Sequence, residues 1–224
     1  MLSSPEFWIG LLQIIGVNIL LSGDNAVVIA LAARPLHGKR QKQAIMWGSA
    51  AAVVMRVILT IFAVKLLMLP SLKIIGGLLL FWIAVKLLLP EEGDGKGIQG
   101  SEQLFSAIKT IMVADLVMSL DNMIGVAAAA KGNITLLILG LAISIPLIIF
   151  GSTLVLKLMQ RFPVIITLGA ALLGYIAGEM LVSDLLISEW IDIHAHILMM
   201  LAPVGGALFV VAAGARLKAT HYRA

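Results

Sequence analysis

Two stretches place acids where the chain is otherwise apolar enough for a bilayer: "NILLSGDNAVVIALAAR" from Asn18 to Arg34, and "DLVMSLDNMIGVAAAAK" from Asp115 to Lys131. Aligned on their Asp-Asn pairs, Asn18, Ser22, Asp24 and Asn25 of the first fall on Asp115, Ser119, Asp121 and Asn122 of the second. Carboxylate and amide oxygens are hard donors, suited to Mn²⁺, Ca²⁺ or Mg²⁺ over Cu(I) or Zn²⁺. The chain has no cysteine, which excludes disulfides and thiolate metal sites. An acid at the centre of a membrane span costs about 2.5–3.5 kcal/mol on insertion scales, so such residues usually face a bundle interior or an ion path. Asp24, Asn25, Asp115, Asp121 and Asn122 therefore read as metal ligands, with Asn18, Ser22 and Ser119 along the transport path. For Asn18, Ser22 and Ser119 the plainer reading, hydrogen bonds that tie helices together, stays open.

Helical geometry does not unite the whole set. At 100° per residue, Asn18, Ser22 and Asn25 lie within about 60° of one another, as do Asp115, Ser119 and Asn122, while Asp24 and Asp121 sit about 120° away. The "SGDN" and "SLDN" segments are therefore expected to be kinked or partly unwound, which would free backbone carbonyls as further ligands. Gly23 favours this in the first segment, and Leu120 favours it less in the second. Three more charges lie within apolar segments. Arg56 reads as a counter-ion to an aspartate or as a structural charge. Lys86 is near a helix end and able to snorkel to the interface, whereas Glu179 is shorter and placed for an outer gate. If all are ionised, Asp24, Asp115, Asp121 and Glu179 against Arg56 and Lys86 leave two negative charges, matching one divalent cation.

The elements that must position these residues follow from composition. The chain has 224 residues, 61% hydrophobic and 12% charged, with a mean hydropathy of +1.08. These values indicate an integral membrane protein rather than a soluble domain. Seven segments reach the roughly 20 apolar residues of a transmembrane helix: 6–34, 43–68, 71–89, 103–130, 133–157, 163–187 and 194–216. They are long and apolar on all sides, so the fold class expected is all-α, a polytopic helical bundle rather than a barrel of short alternating strands. Residues 6–89 and 103–187 align as two three-helix repeats, with Gly48 over Gly140 and "GGLLLFWIAVKLL" over "GAALLGYIAGEML". An odd helix count makes the second repeat enter the membrane from the opposite side. Inverted repeats of this kind are a recurring plan of secondary transporters, whose sites lie where the repeats meet. The polar, Gly-rich stretch 90–102 reads as the linker, and the seventh helix stands outside the repeat.

Charge sets the orientation. Arg34, Lys39, Arg40, Lys42, Lys96, Lys157, Arg161, Arg216, Lys218 and Arg223 all fall on one side of a seven-span layout; Lys65, Lys73 and Lys131 fall on the other. The positive-inside rule then puts the N-terminus outside and the C-terminus in the cytoplasm of a bacterial inner membrane. The basic residues follow topology rather than forming one patch, so no nucleic-acid partner is expected. "MLSSPEF" has no basic region of a cleavable signal, and Ser4-Pro5-Glu6 reads as a helix start. The outer stretch "SDLLISEWIDIHAHI" carries Asp184, Glu189, Asp192, His194 and His196, either a cation-collecting loop or a solvated turn and helix cap. Gly174 and Gly178 read as a close helix contact, and Pro146 and Pro203 as kinks.

The two acidic motifs, with "LLLFWIAVKLL" and "LLGYIAGEML", resemble the signatures of the TerC family of bacterial integral membrane proteins, across all seven expected spans. The length and start resemble a short branch of that family. The resemblance implies a cation exporter with manganese as the leading substrate. It carries the family's acidic positions over to Asp24, Asp115 and Asp121, with Asn25 and Asn122 beside them, and to Glu179 in the sixth span.

The expected function is therefore export of a divalent metal by alternating access at a site between the first and fourth spans. No cofactor is tightly bound, and Mn²⁺, Ca²⁺ or Mg²⁺ is cargo. No G-x-x-x-x-G-K-[ST] motif is present to bind ATP, so ion gradients or the membrane potential must drive transport, with protons as a plausible counter-ion. Three readings compete. An intramembrane aspartyl protease also needs two acids on separate helices, but the chain lacks the G-x-G-D element. An exporter of small solutes such as amino acids would need a partner for the substrate carboxylate, which Arg56 could supply. A non-transporting accessory with a structural metal would bind ions without flux. Oligomeric state is not readable from the sequence.

Overall fold

The computed structural model describes residues 5–20, 23–62, 66, 69–89, 100–130 and 133–221. Among these the protein is all-helical, with nine helices: α1 Pro5–Leu20, α2 Gly23–Ala33, α3 Gly38–Ile61, α4 Leu72–Leu88, α5 Gly100–Ala130, α6 Ile134–Arg161, α7 Val164–Val182, α8 Ser188–His194 and α9 Ile197–His221. Five are long and apolar enough to cross a membrane: α3, α6, α7, Ser101–Leu120 within α5 and Ile197–Ala219 within α9. Helices are what hydrocarbon demands of such a sequence, because each satisfies its own backbone N–H and C=O groups where no water can.

Within the expected first span, 6–34, the described residues form α1 and α2, and Leu21 and Ser22 lie outside the described residues. The unwinding expected at "SLDN" does not occur, since α5 runs unbroken through Ser119, Leu120, Asp121 and Asn122. Leucine is a strong helix former, whereas glycine, which the first segment has at that place, costs a helix interior about 1 kcal/mol. Most of the linker, residues 90–99, also lies outside the described residues. The expected sixth span ends early, at Val182. The stretch after it turns at Asp184 and forms the short α8. Pro146 and Pro203 sit inside α6 and α9, which continue past them.

The chain forms two compact units, each drawing on both halves of the sequence. The first comprises Met1–Leu67 with Leu104–Leu156, the second Met68–Gln103 with Lys157–Ala224. In the first unit, Leu11 and Ile14 of α1, Val53 of α3, Val126 and Ala130 of α5, and Leu136, Leu137 and Leu141 of α6 form one buried cluster. Two glycines permit this packing. A methyl at Gly48 would lie 2.7 Å from Ile111, and one at Gly140 would collide with Ile14. The joints are hydrogen-bonded. Gln41 Nε2 donates to the Ala33 and Leu36 carbonyls at 3.2 and 2.7 Å, closing the C-terminal end of α2. Asn133 Oδ1 accepts the Leu136 N–H at 3.1 Å, capping α6.

In the second unit α4, α7 and α9 pack against one another. Leu80 and Ile83 of α4, Leu173 of α7 and Val210 of α9 are buried in that core. Phe81 meets Phe209 edge to face, with centroids 5.5 Å apart.

Candidate functional site

Arg56 is the charged residue that organises the interior of the first unit. The run of Ala, Val and Ile around it makes α3 apolar, so its guanidinium must find partners within the bundle. It finds them on α5. Arg56 Nη2 donates to Asp115 Oδ1 in a short ion pair, and Arg56 Nε donates to Ser119 Oγ at 2.9 Å. Ser119 Oγ in turn donates to Asp115 Oδ2 at 3.3 Å, which closes the network. Asp115 and Ser119 are four residues apart and so stack on one face of α5. The two charged side chains are 2% and 6% exposed, and Ser119 is fully buried. On the next turn of α3, Thr60 Oγ1 donates to the Arg56 carbonyl at 2.8 Å.

Asp24 joins this site from α2. It lies in the first turn of that helix, where the N-terminal dipole favours negative charge, and its Oδ1 accepts the Asn25 N–H at 2.8 Å. Asp24 is also within electrostatic range of both Arg56 and Asp115. Asp115 and Arg56 are thus paired between α5 and α3, and Asp24 of α2 feels both charges. Next to Asp24, Asn25 is buried, and Asn122 on α5 is half-buried.

The remaining sequence-derived positions are less closely gathered. Asn18 lies on α1 and Asp121 on α5, but their side chains, and all of Ser22, fall outside the described residues. Lys86 and Glu179 belong to the second unit, on α4 and α7, and both are exposed. Lys86 Nζ lies 5.3 Å from the centre of the Trp82 ring, in the last turn of α4, as a snorkelling lysine would. Among the described residues, no three His, Asp or Glu side chains are grouped to hold a metal ion. In the stretch after α7, His196 Nδ1 is 2.9 Å from Asp192 Oδ1, and His194 stacks on Trp190 with centroids 5.4 Å apart.

Sequence reasoning left two roles open for Arg56, and the structure gives it the counter-ion role, with Asp115. A signal was available in the repeat. Continuing the Gly48–Gly140 register puts Arg56 over Ile148, just as Asp115 falls over Asn18. The first half therefore supplies an unmatched base, and the second an unmatched acid. For Asp184 the sequence left two roles open, a cation-collecting loop or a solvated turn and helix cap, and the structure gives it the cap. Rather than collecting cations, it is 1% exposed and accepts the N–H groups of Ser71, Lys73 and Ile74 at 3.0, 3.0 and 3.2 Å, capping α4 from a distant turn.

A buried charge network within helices long and apolar enough to span a bilayer defines a polytopic α-helical membrane protein with a polar interior site. The chain belongs to the TerC family: the family model described as "Integral membrane protein TerC family" matches residues 3–221. Among curated proteins it is similar to the membrane protein YjbE of Bacillus subtilis (strain 168), with 43% identity over 208 residues covering 93% of this chain and 94% of the relative. It is also similar to the inner membrane protein YgdQ of Escherichia coli (strain K12), with 26% identity over 210 residues and 86% of each chain covered. The membrane protein YceF of Bacillus subtilis (strain 168) is 25% identical over 188 residues, covering 80% of this chain and 73% of the relative. No solved structure gives a significant match.

Proposed function

We propose that this protein is a secondary transporter, not an enzyme, that exports a divalent metal cation, Mn²⁺ first among the candidates. The ligands in this reading are Asp24, Asn25, Asp115, Asp121 and Asn122, with Asn18, Ser22 and Ser119 beside them and Glu179 further along the path. The observation that carries the reading is the buried Asp115 carboxylate of α5 held beside the Arg56 guanidinium of α3, with Asp24 of α2 near enough to feel both charges. Acids are retained in spanning helices mainly where an ion or proton path uses them, and oxygen donors of this type suit hard divalent cations.

Packing in the first unit supports an inverted repeat of three spans each, with a seventh span outside it. In the repeat register Ile14 corresponds to Ile111 and Gly48 to Gly140. Gly48 receives Ile111, and Gly140 receives Ile14. One contact is thus the pseudo-two-fold image of the other, as expected where two repeats pack symmetrically. Charge distribution supports a cytoplasmic C-terminus, and protons are the counter-ion we favour for outward movement against an inside-negative potential.

Engagement of Arg56 weighs against the competing readings. The guanidinium that would receive a solute's carboxylate is already engaged by Asp115, so a solute would have to compete for it. An aspartyl protease needs two carboxylates sharing a proton, whereas Asp115 is paired with a guanidinium.

Mn²⁺ flux into proteoliposomes tests the proposal, with Asp24→Asn and Asp115→Asn each checked for folded yield. Wild-type flux reduced at least tenfold in both folded variants supports an acid-lined transport site. Unchanged flux in both would make the acids structural, and absence of flux for Mn²⁺, Ca²⁺ and Mg²⁺ alike would remove the transport reading.

A further inference from the structure

Arg56 stands where a cation would stand. Among the described residues its guanidinium is bonded to the Asp115 carboxylate and the Ser119 hydroxyl, and the charge of Asp24 acts on it. These are the same oxygens that would take a metal ion between α2 and α5. Arg56 Nη2 competes with a divalent cation for Asp115 Oδ1, and the positive charge of its guanidinium repels any cation that approaches the pair. In the repeat register this base has no charged counterpart. Its counterpart, Ile148, is apolar and buried, and the counterpart of Asp115 is the neutral Asn18.

We propose that Arg56 is a tethered surrogate cation: in the ion-free protein its guanidinium occupies Asp115, and it must release that carboxylate before a divalent cation is coordinated there. This deepens the transport reading and rests on it. Exchange of the tethered charge for a free one gives the residue two consequences. A monovalent ion replaces one positive charge with one and gains nothing electrostatically, while a divalent ion replaces one with two, so Arg56 discriminates by charge. When the ion departs, the guanidinium returns and the empty site regains its charge balance, which suits a carrier that must reorient unloaded. The arginine stem is long enough to swing its head between partners without moving α3.

Binding of Mn²⁺ to the detergent-solubilised full chain, read from loss of the free-ion EPR signal, tests this without requiring transport. Arg56→Gln removes the competitor and is expected to bind Mn²⁺ about tenfold more tightly than wild type, the equivalent of one charge-assisted hydrogen bond. If that variant does not fold, Arg56→Lys keeps the charge but loses the two-point hold on Asp115 and Ser119, and is expected to bind a few-fold more tightly. Asp115→Asn is expected to bind about tenfold more weakly. The double variant Arg56→Ile with Asp115→Asn installs the pair found in the other half of the repeat, and it too is expected to bind about tenfold more weakly.

Wild-type affinity in the double variant would overturn the proposal, showing the ion pair to be a fixed neutral element and Asp115 no ligand, while leaving transport through Asp24 and Asp121 intact. Unchanged or weaker binding in folded Arg56→Gln or Arg56→Lys would overturn it as well. Failure of the wild type to bind Mn²⁺, Ca²⁺ or Mg²⁺ would instead remove the transport reading itself, and this proposal with it.

Discussion

At the scale of single residues, the acids of this chain divide by where their partners lie in the sequence. Asp24, Asp115 and Asp121 were legible because each interrupts an apolar run and the pattern around them occurs twice. Asp184 was legible as one of two readings, a turn and helix cap, but the helix it caps was not, because its partners are backbone N–H groups as far as 113 residues away, with no sequence signature. Only its local bond to the Leu186 N–H, at 2.9 Å, belongs to a pattern readable from sequence, the Asx turn. Burial pushes the Asp184 carboxyl up, but the N–H groups of Leu186, Ser71, Ile74 and Lys73 more than reverse this and hold it below the usual carboxylate range. A carboxyl depressed by folding stabilises the native state above its unfolded pKa, and that stabilisation is lost as pH falls through the folded value. Thermal stability should therefore fall as pH drops below about 4. Asp184→Asn should cost about 1–3 kcal/mol near neutral pH and flatten the acid limb of the curve. An unchanged acid limb in the variant would assign the pH dependence to other groups. The same carboxylate holds Ser71 at φ +65°, a left-handed conformation that costs a non-glycine residue about 1–2 kcal/mol, so the cap also stabilises the turn into α4.

At the scale of elements, small residues set how closely helices approach. The Gly174 and Gly178 pair was readable as a close contact, but its partner was not, since α9 lies outside the repeat and no register points to it. The structure shows the match. A methyl at Gly174 would lie 2.5 Å from the Gly206 carbonyl, one at Gly206 would strike the Gly174 carbonyl, and one at Gly178 would strike that of Ala202. The spacing of four is thus repeated on both helices, and backbone meets backbone where no side chain can yield. Gly205, one residue away, has open space around the position of its missing methyl. Gly206→Ala is expected to cost about 1–3 kcal/mol through overpacking, whereas Gly205→Ala should be neutral or gain up to about 1 kcal/mol from helix propensity. Denaturation of both variants in the same detergent compares them directly, and equal stability would mean that α7 and α9 separate easily. The unbroken α5 belongs to this scale too. Polar residues inside a span suggested unwinding, but at Leu120 local helix propensity prevailed.

At the scale of the whole molecule, the all-helical membrane class was fixed by hydropathy, because hydrocarbon leaves a spanning chain few alternatives. The two units were not legible, since each gathers segments from both halves of the sequence and composition carries no trace of that exchange. Orientation follows from a different physical term. Basic residues resist translocation, so their crowding on one side of the expected spans predicts that this side faces the cytoplasm. The absence of cysteine from the chain makes this directly measurable, because a single introduced thiol reports its own side. Lys39→Cys before the second expected span, Glu189→Cys after the sixth and Ala219→Cys near the C-terminal end all replace exposed residues. With a membrane-impermeant maleimide, Glu189→Cys should label in intact cells, and the other two only after the membrane is permeabilised. The reverse pattern would invert the topology and turn the proposed exporter into an importer for the same alternating motion. Labelling of Lys39→Cys and Ala219→Cys from opposite sides would require an odd number of crossings between them. That result would break the seven-span layout and the inverted repeat built on it, whatever ion the site binds.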